Sequence, residues 1–279
     1  MRITTLLENT TELPALACQH GLSQYVEANG RRLLFDAGPS EASSENAVKL
    51  GIDLTAVDTC ILSHGHHDHS DGLPAFLERN RISSVYLKPE ARGEQVGLKK
   101  DGPRFIGVTP VLFEQYAERL RFVEGETDLG DGIVILTRIT RDPDYTQPQD
   151  DLQVKTEQGY EPDQFLHELI LTVHERGGVH ILTGCSHSGI VGMIETVMTR
   201  FPGEPILSVT GGFPLMVVPR QDRMNCTPDF ASRLGDKLKS LGDFPIFTCH
   251  CTGQLAFDHL KERLGSRLTY LRGGMSVEV

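Results

Sequence analysis

The sequence has no long hydrophobic run. None of its segments approaches the roughly 18 apolar residues that a membrane-spanning helix needs. The apolar run near the N-terminus, within Met-Arg-Ile-Thr-Thr-Leu-Leu-Glu-Asn-Thr, is too short for a signal peptide. We therefore expect a cytoplasmic protein that has no membrane partner.

Positive charge is also scarce. The 27 Lys and Arg side chains stand against 38 Asp and Glu, which gives a formal net charge of -11. Because a nucleic-acid backbone is bound mainly through cations that displace its counterions, no nucleic-acid partner is expected. A small anionic substrate remains compatible, since local cations and a metal ion set the field inside a cleft. Nothing in the sequence indicates the oligomeric state.

Paired cysteines are missing as well. The six cysteines, at positions 18, 60, 185, 226, 249 and 251, lack the CxxC spacing of a zinc ribbon and the pattern of a disulfide framework. In a reducing compartment they are expected to be free thiols. Cys60 lies in an apolar run and is expected to be a small buried hydrophobe.

The regular elements that the pattern does predict alternate between strands and helices. Asn29-Gly30 is a strong hairpin signal between strands 22–28 and 31–35. Further strands are predicted at 57–62, 85–87, 120–123, 132–136, 168–174, 179–183, 205–210 and 245–248. Helices are predicted at 41–50, 72–79, 190–201, 228–241 and 253–264, and a last hairpin around Gly273-Gly274. With 279 residues, this order fits one large α/β domain or two small ones.

Residues 141–164 lack any clear periodicity and contain three prolines. A stretch of this length without a regular pattern is typical of a functional lid or a disordered insertion. We therefore expect an irregular insertion or lid there.

The most informative segment is His64-Gly65-His66-His67-Asp68-His69, which follows the apolar run 57–62. Neutral imidazole is a ligand for zinc, copper, iron and nickel, and a carboxylate adds an oxygen ligand or a base for bound water. His64 and His66 are two residues apart, so both rings can point the same way on an extended loop. Asp68 and His69 can reach a second position nearby.

Two more histidines follow predicted strands. His187 comes after strand 179–183 and His250 after strand 245–248. Both are expected at carboxyl ends of strands, where α/β sheets place their sites. The other histidines, at 20, 67, 167, 174, 180 and 259, are interpreted as surface or internally satisfied residues, with His20 the least certain.

Four segments occur in an order that resembles the metallo-β-lactamase superfamily. They are Leu-Phe-Asp-Ala-Gly (34–38), Leu-Ser-His-Gly-His-His-Asp-His (62–69), Gly-Cys-Ser-His (184–187) and Thr-Cys-His-Cys-Thr-Gly (248–253). The resemblance implies a single domain over residues 1–279, an αββα sandwich of two mixed sheets with a metal pair at the sheet edges. By the same resemblance, His64, His66 and His187 hold the first ion, and Asp68, His69 and His250 hold the second.

A narrower resemblance points to one subgroup, named after 7,8-dihydropterin-6-yl-methyl-4-(β-D-ribofuranosyl)aminobenzene 5′-phosphate synthase. It is carried by His-Gly-Leu-Ser (20–23), Pro-Asp-Gln-Phe-Leu-His-Glu-Leu (162–169), Thr-Gly-Cys-Ser-His-Ser-Gly-Ile (183–190), Gly-Gly-Phe (211–213) and Cys-His-Cys-Thr-Gly (249–253). The chain departs from the pattern twice. Gly211-Gly212 stands where the superfamily usually has a bridging Asp, and Pro214 stands where the subgroup usually has His. We therefore expect the first ion to bind tightly and the second more weakly.

Four further residues have two readings each. Asp36 is either a turn residue or an acceptor that orients a ligand histidine. Cys185 is expected to support the ligands or to pack, although Cys185, Cys249 and Cys251 could also bind metal as thiolates. Ser188 and Gly189 open a helix, whose N–H groups either receive a phosphate or carboxylate or simply form a capped helix end.

The resulting hypothesis is a metal-dependent hydrolase. A metal-bound hydroxide attacks phosphorus or a carbonyl carbon, and the catalytic residue Asp68 orients or deprotonates it. Zinc is the default metal for a mainly imidazole ligand set, and two ions are expected. Iron and manganese remain alternatives. Two alternatives remain: a pterin or aminobenzene ribotide synthase or transferase, and a non-catalytic metal-binding ligand sensor. Specificity is expected to lie in segments 88–116 and 141–164.

Overall fold

A computed structural model describes all residues from Met1 to Val279. Its twenty strands are β1 (Arg2–Leu7), β2 (Ser23–Ala28), β3 (Arg31–Ala37), β4 (Thr59–Ile61), β5 (Ser84–Leu87), β6 (Glu94–Lys99), β7 (Gly102–Phe105), β8 (Leu120–Phe122), β9 (Thr127–Asp128), β10 (Ile133–Leu136), β11 (Leu152–Thr156), β12 (Gly159–Pro162), β13 (Ile170–Glu175), β14 (Gly178–Leu182), β15 (Ile206–Gly212), β16 (Met216–Val217), β17 (Arg220–Met224), β18 (Ile246–Cys249), β19 (Leu268–Tyr270) and β20 (Ser276–Glu278). Its seven α-helices are α1 (Ala42–Lys49), α2 (His67–Ser70), α3 (Leu73–Arg79), α4 (Pro110–Gln115), α5 (Ile190–Arg200), α6 (Pro228–Ser240) and α7 (Gln254–Leu264).

The chain divides into two compact units. The first contains residues 1–125, 148–169 and 272–278, and the second contains residues 126–147, 170–271 and Val279. Each unit has its own seven-stranded sheet with parallel and antiparallel pairs, so the predicted α/β class with two mixed sheets is confirmed. None of the seven helices has both the length and the apolar character that a membrane span requires.

The sheet of the first unit has the order β20-β1-β2-β3-β4-β5-β8. The first four of these strands pair antiparallel, and β3, β4, β5 and β8 pair parallel. The predicted hairpin between β2 and β3 is confirmed, with Asn29 at φ 50° and Gly30 at φ 80°. Two consecutive residues with positive φ are what a type I′ turn requires, because it matches the twist of the flanking strands.

The core of the first unit joins this sheet to three helices. Strand residues such as Leu34, Cys60 and Val85 lie in one cluster with Ala47 of α1, Leu73, Phe76 and Leu77 of α3, and Leu112 of α4. Cys60 is fully buried in this cluster, as predicted for a small hydrophobe. The apolar face of each helix is thereby removed from water, which fixes the loops at the carboxyl ends of β3 and β4.

Residues 141–164 are not irregular throughout. Strands β11 and β12 form a hairpin, and β11 also pairs with β6, which gives a four-stranded antiparallel sheet of order β12-β11-β6-β7. The prediction of an irregular insertion overlooked the alternation of Leu152, Val154 and Thr156 with Gln153 and Lys155. Strand β12 is exposed and β11 is mostly half-buried, with no fully buried residue in either, so hydrophobic periodicity gives them only a weak signal.

The sheet of the second unit has the order β19-β18-β15-β14-β13-β10-β9. Strands β14, β15, β18 and β19 pair parallel, whereas β9, β10, β13 and β14 pair antiparallel. The C-terminal hairpin predicted around Gly273-Gly274 is wrong. The Met275 N–H donates to the Arg272 carbonyl at 3.0 Å and closes a turn there, but β19 pairs with β18 and β20 pairs with β1, and Gly273 and Gly274 donate to the carbonyls of Thr10 and Thr5.

The core of the second unit joins its parallel strands to α5, α6 and α7. Ile181, Val209 and Ile246 of the strands lie in one cluster with apolar side chains of all three helices, including Ile194, Leu234 and Leu260. The three helices begin within two residues of their predicted starts. This packing holds the loops after β14 and β18 at one end of the sheet.

A buried side chain in the first unit ties the loop before β4 to the end of α3. Asn80 has no exposed surface, and its Nδ2 donates to the carbonyls of Leu54 and Val57, each at 2.8 Å. Its Oδ1 accepts from the backbone N–H groups of Ile82 and Ser83 at 2.9 and 2.7 Å. One amide thus satisfies four backbone groups.

Replacing Asn80 with Ala removes all four hydrogen bonds and leaves buried backbone groups without partners. We expect the free energy of unfolding to fall by about 3 kcal/mol, since each bond contributes about 1 kcal/mol and the Val57 carbonyl keeps the Ser83 hydroxyl as a partner. Urea denaturation followed by circular dichroism measures this. The control is Glu78→Ala, an exposed side chain of α3, which should change stability by less than about 0.5 kcal/mol. Equal losses in both variants would contradict the assignment.

Candidate metal centre

The histidine motif lies at the carboxyl end of β4, one of the parallel strands of the first unit. Leu62 continues the strand pairing by donating to the Tyr86 carbonyl at 2.9 Å, and the chain then enters α2 at His67. Asp68 and His69 are on this short helix and are buried, as are His64 and His66 before it. The structure therefore brings four of the six predicted metal ligands onto one buried loop.

One ring nitrogen of His64 lies close to one ring nitrogen of His66. Nε2 of His64 and Nδ1 of His66 are 3.1 Å apart. Two nitrogens bound to one tetrahedral zinc ion at 2.0–2.1 Å would be about 3.3 Å apart. The two imidazoles thus have the separation that a shared transition-metal ion needs, and the residues fit the metal that the motif indicates.

The tautomer of His64 is fixed by its neighbour. The Ser63 hydroxyl donates to Asp36 at 2.7 Å and therefore accepts, at 2.8 Å, from Nδ1–H of His64. The lone pair of His64 is then on Nε2, the atom that faces His66. Burial, together with the nearby His167 ring, lowers the pKa of His66 to about 3, so His66 is neutral near pH 7.

Asp36 orients the other end of the motif. Its carboxylate accepts from the Ser63 backbone N–H at 2.7 Å and from Nδ1–H of His69 at 2.6 Å. Because Nδ1 of His69 carries the proton, its Nε2 holds the lone pair, 3.9 Å from the Asp68 carboxylate. This is the geometry expected of the acceptor that orients a ligand histidine. Burial alone lowers the pKa of His69, but the charges of Asp36 and Asp68 outweigh it and raise that pKa.

Three residues that lie beside the histidine motif were not predicted there: His20, Asp163 and His167. His20 lies with its Nε2 3.3 Å from the Asp68 carboxylate. His167 is buried; its Nδ1 accepts from the Gly65 N–H at 3.0 Å, and its Nε2 donates to Asp163 at 3.0 Å. Burial alone raises the pKa of Asp163, but the hydrogen bond from His167 outweighs it and lowers that pKa.

Ligand atoms of His66, Asp163 and His167 lie within 4.8 Å of one another. His167 is thus an internally satisfied buried histidine, as predicted, but its position beside His66 was not predicted. The available signal was the segment 162–169, which contains both Asp163 and His167 and matches the subgroup.

In the second unit, the loop after β14 carries His187. Ser186 adopts a left-handed conformation with φ 55°, and its hydroxyl lies 2.8 Å from that of Thr183. The Gly212 N–H donates to the Gly184 carbonyl at 2.7 Å, which ties the loop to β15. His187 is buried on this loop.

The loop after β18 carries His250, which is fully buried and also left-handed, with φ 51°. The Sγ atom of Cys185 lies within 4.8 Å of a ring nitrogen of His187 and also of a ring nitrogen of His250. The second unit therefore gathers two of the predicted ligands around one thiol. Their role as ligands, taken from the resemblance, stays a prediction.

The residues predicted to receive an anion have partners within the second unit. The Gly189 N–H donates to the Ser186 carbonyl at 2.9 Å, and the Thr146 hydroxyl lies 3.3 Å from the Ser188 carbonyl. Helix α5 begins after Gly189 without a side-chain cap. The N–H of Gly189 is thus already used, and an anion role for Ser188 stays a prediction.

Two other histidines are satisfied away from these loops, as predicted. Nδ1 of His174 lies 2.8 Å from Glu204, and Nδ1 of His180 lies 2.8 Å from the Ser208 hydroxyl. Burial lowers the pKa of His180. Neither histidine belongs to the clusters described above.

Replacing Asp36 with Asn should weaken metal binding. An amide oriented to Ser63 and His69 places its NH₂ where an acceptor is needed, which drives the His69 proton from Nδ1 to Nε2. We expect a loss of metal affinity of about 10- to 100-fold, measured by competition with a chelator. The control is Asp58→Asn, whose carboxylate bonds Arg31 and Arg32. Unchanged affinity in Asp36→Asn would show that the orientation of His69 is not needed.

Comparisons with known proteins agree with this arrangement. An uncharacterized protein from Methanocaldococcus jannaschii is 29% identical over 262 residues, covering 93% of the chain and 94% of that protein. The 7,8-dihydropterin-6-methyl-4-(beta-D-ribofuranosyl)-aminobenzene-5'-phosphate synthase of the same organism is 29% identical over 276 residues, covering 93% of the chain and 90% of the synthase. The crystal structure of Tm1679, a metal-dependent hydrolase of the beta-lactamase superfamily, matches with a TM-score of 0.82 and 28% identity, covering 100% of this chain and 99% of that one.

The family itself is shown by the sequence profile of the metallo-beta-lactamase superfamily, which matches residues 18–200. The matched region includes the histidine motif and the loop of His187, and it spans more than half of the chain. The fold class and the resemblance to the synthase subgroup are thereby confirmed. The chain belongs to the metallo-beta-lactamase superfamily.

Proposed function

We propose that the protein is a metal-dependent hydrolase that acts on a small anionic substrate, such as a phosphodiester or a related ester. The observation that carries this proposal is the pair of ring nitrogens of His64 and His66, 3.1 Å apart on a buried loop. Asp68 on the same loop supplies a carboxylate. The likeness to Tm1679 supports the same reaction class.

The proposed ligand sets follow the family resemblance. His64, His66 and His187 are assigned to a first ion, and Asp68, His69 and His250 to a second, with zinc as the proposed metal. A bound transition metal supplies a Lewis acid and lowers the pKa of a coordinated water to about 7. The protein's own contribution is to orient each ring and fix which nitrogen faces the metal, which Ser63 and Asp36 do for His64 and His69.

Asp68 is the proposed catalytic residue. Among the four proposed ligands of the motif, Asp68 has the largest exposed fraction, 11% of its side chain, and His20 lies 3.3 Å from its carboxylate. A carboxylate in this position can accept a proton from the attacking water and hold that water in line. His20 restricts the rotation of the carboxylate and keeps it aimed at one position.

The first test concerns the metal. Elemental analysis of the protein purified without added metal should find at least one equivalent of zinc, iron or manganese per chain. His66→Ala should lose this metal and the activity together, because one of three imidazoles is removed. The control is His259→Ala, a half-exposed histidine of α7. Less than about half an equivalent in the wild type, with no activity recovered on adding metal, would contradict the proposal.

The second test concerns Asp68 and the reaction. Wild-type protein should hydrolyse at least one member of a panel of phosphodiester, thioester and lactone substrates. Asp68→Asn should keep the first ion, measured by elemental analysis, while the rate falls by about 10²- to 10⁴-fold, the usual size of general acid–base catalysis. A variant that retains more than about a tenth of the rate would remove Asp68 from that role.

A second candidate function is favoured by the 29% identity to the pterin-ribofuranosylaminobenzene phosphate synthase over 93% of the chain. In a synthase, the metal site would organise two substrates instead of activating water. Pro214, which stands where that subgroup usually has His, favours a different substrate. Supplying a dihydropterin with an aminobenzene ribotide distinguishes the two: condensation without hydrolysis of the ester panel would support the synthase.

A further inference from the structure

Cys185 is buried, but it lies outside the main hydrophobic cluster of its unit. Its exposed fraction is 3%, yet it does not belong to the hydrophobic cluster of the second unit. Cys60 shows the contrast, because it lies within the cluster of the first unit among leucines and valines. Packing therefore accounts for Cys60 and leaves the position of Cys185 unexplained.

The surroundings of Cys185 are imidazoles. Its Sγ lies within 4.8 Å of a ring nitrogen of His187 and, separately, within 4.8 Å of a ring nitrogen of His250. These two histidines are assigned to different ions. The thiol is therefore placed beside a proposed ligand of each ion.

The superfamily usually has a bridging Asp at the end of β15, but this chain has no room for a side chain there. A Cβ at Gly211, which has φ +157°, would lie 2.0 Å from the Thr183 hydroxyl oxygen and 2.7 Å from the Thr183 carbonyl oxygen. A Cβ at Gly212 would lie 2.5 Å from Sγ of Cys251 and 3.2 Å from the Cys249 carbonyl oxygen. No carboxylate side chain fits at either position of β15.

From this geometry we infer that Cys185 is a metal ligand, and that its thiolate would act beside His187 and His250 in place of the missing carboxylate. The inference rests on the proposed metal-dependent function. On binding, the thiol releases its proton to solvent and donates a sulfur lone pair, as metal-bound cysteines do. Cys251 has a different part, because its Sγ–H points to the Cys185 carbonyl at 3.5 Å and supports the loop.

Cobalt(II) reports this ligand directly. Metal-free protein reconstituted with cobalt should show d–d bands in the visible range and a thiolate-to-cobalt charge-transfer band in the near ultraviolet. Cys185→Ser should keep the d–d bands and lose the charge-transfer band. Cys251→Ser, a buried neighbour, and Cys60→Ala, in the other unit, are the controls that should keep it.

The possible outcomes separate the two proposals. Visible bands without any charge-transfer band in the wild type would overturn the thiolate ligand while leaving the metal-dependent function intact. A band that disappears in Cys251→Ser and persists in Cys185→Ser would assign the wrong thiol and overturn the inference. No cobalt bands at all, together with no metal in the purified protein, would overturn both.

Zinc titration of the metal-free protein gives a second, independent readout. We expect wild-type protein to bind two ions, and Cys185→Ala to lose at least tenfold in affinity for the second. Cys185→Asp provides an oxygen donor at the same position, and it should restore the second ion while lacking the charge-transfer band in the cobalt form. Equal binding of two ions by wild type and Cys185→Ala would contradict a shared thiolate.

Discussion

A carboxylate with no exposed surface must have its charge and lone pairs satisfied by protein groups, because an unpaired buried charge costs several kcal/mol. Asp36 meets this requirement with three donors: the Ser63 N–H, the Ser63 hydroxyl and the His69 ring. These donors lie at the two ends of the histidine motif. Ser63 precedes the motif and sets the tautomer of His64, and His69 ends the motif. Asp36 lies near the end of β3, and β3 is a parallel neighbour of β4, the strand that precedes the motif, so the sheet itself brings acceptor and donors together.

The same loops contain most of the backbone strain in the chain. Six residues other than glycine have positive φ, and four of them are Asp36, Phe165, Ser186 and His250. Each belongs to, or lies beside a residue of, the group around His66 in the first unit or the group around Cys185 in the second. Such conformations cost about 1–3 kcal/mol each and persist only where surrounding packing and hydrogen bonds enforce them. In each unit, the helices that pack against the sheet provide that enforcement. The histidine rings of that unit are therefore held in place before any ion binds.

Much of this arrangement could be predicted from the sequence, for identifiable reasons. The parallel strands and long helices have strong hydrophobic periodicity, and the spacing of His64, His66, Asp68 and His69 is itself a metal-binding pattern. The hairpin of β11 and β12 was not predicted because neither strand has a fully buried side chain, which leaves little hydrophobic periodicity in the sequence. His167 escaped because its contact with Gly65 joins residues 102 positions apart, which no local pattern shows.

The donor chemistry bears on which metal the protein uses. Imidazole and carboxylate ligands alone are compatible with zinc, iron and manganese, so the histidine motif leaves all three open. A thiolate is a softer ligand, which suits zinc and iron and is poorly matched to manganese. Glycines at 211 and 212 exclude the harder carboxylate from the same region, because Thr183 and Cys251 fill the space that a side chain would need. The packing of β15 against its neighbouring loops thus leaves no room for an oxygen donor there, and with Cys185 as the inferred sulfur donor the site would prefer zinc or iron to manganese.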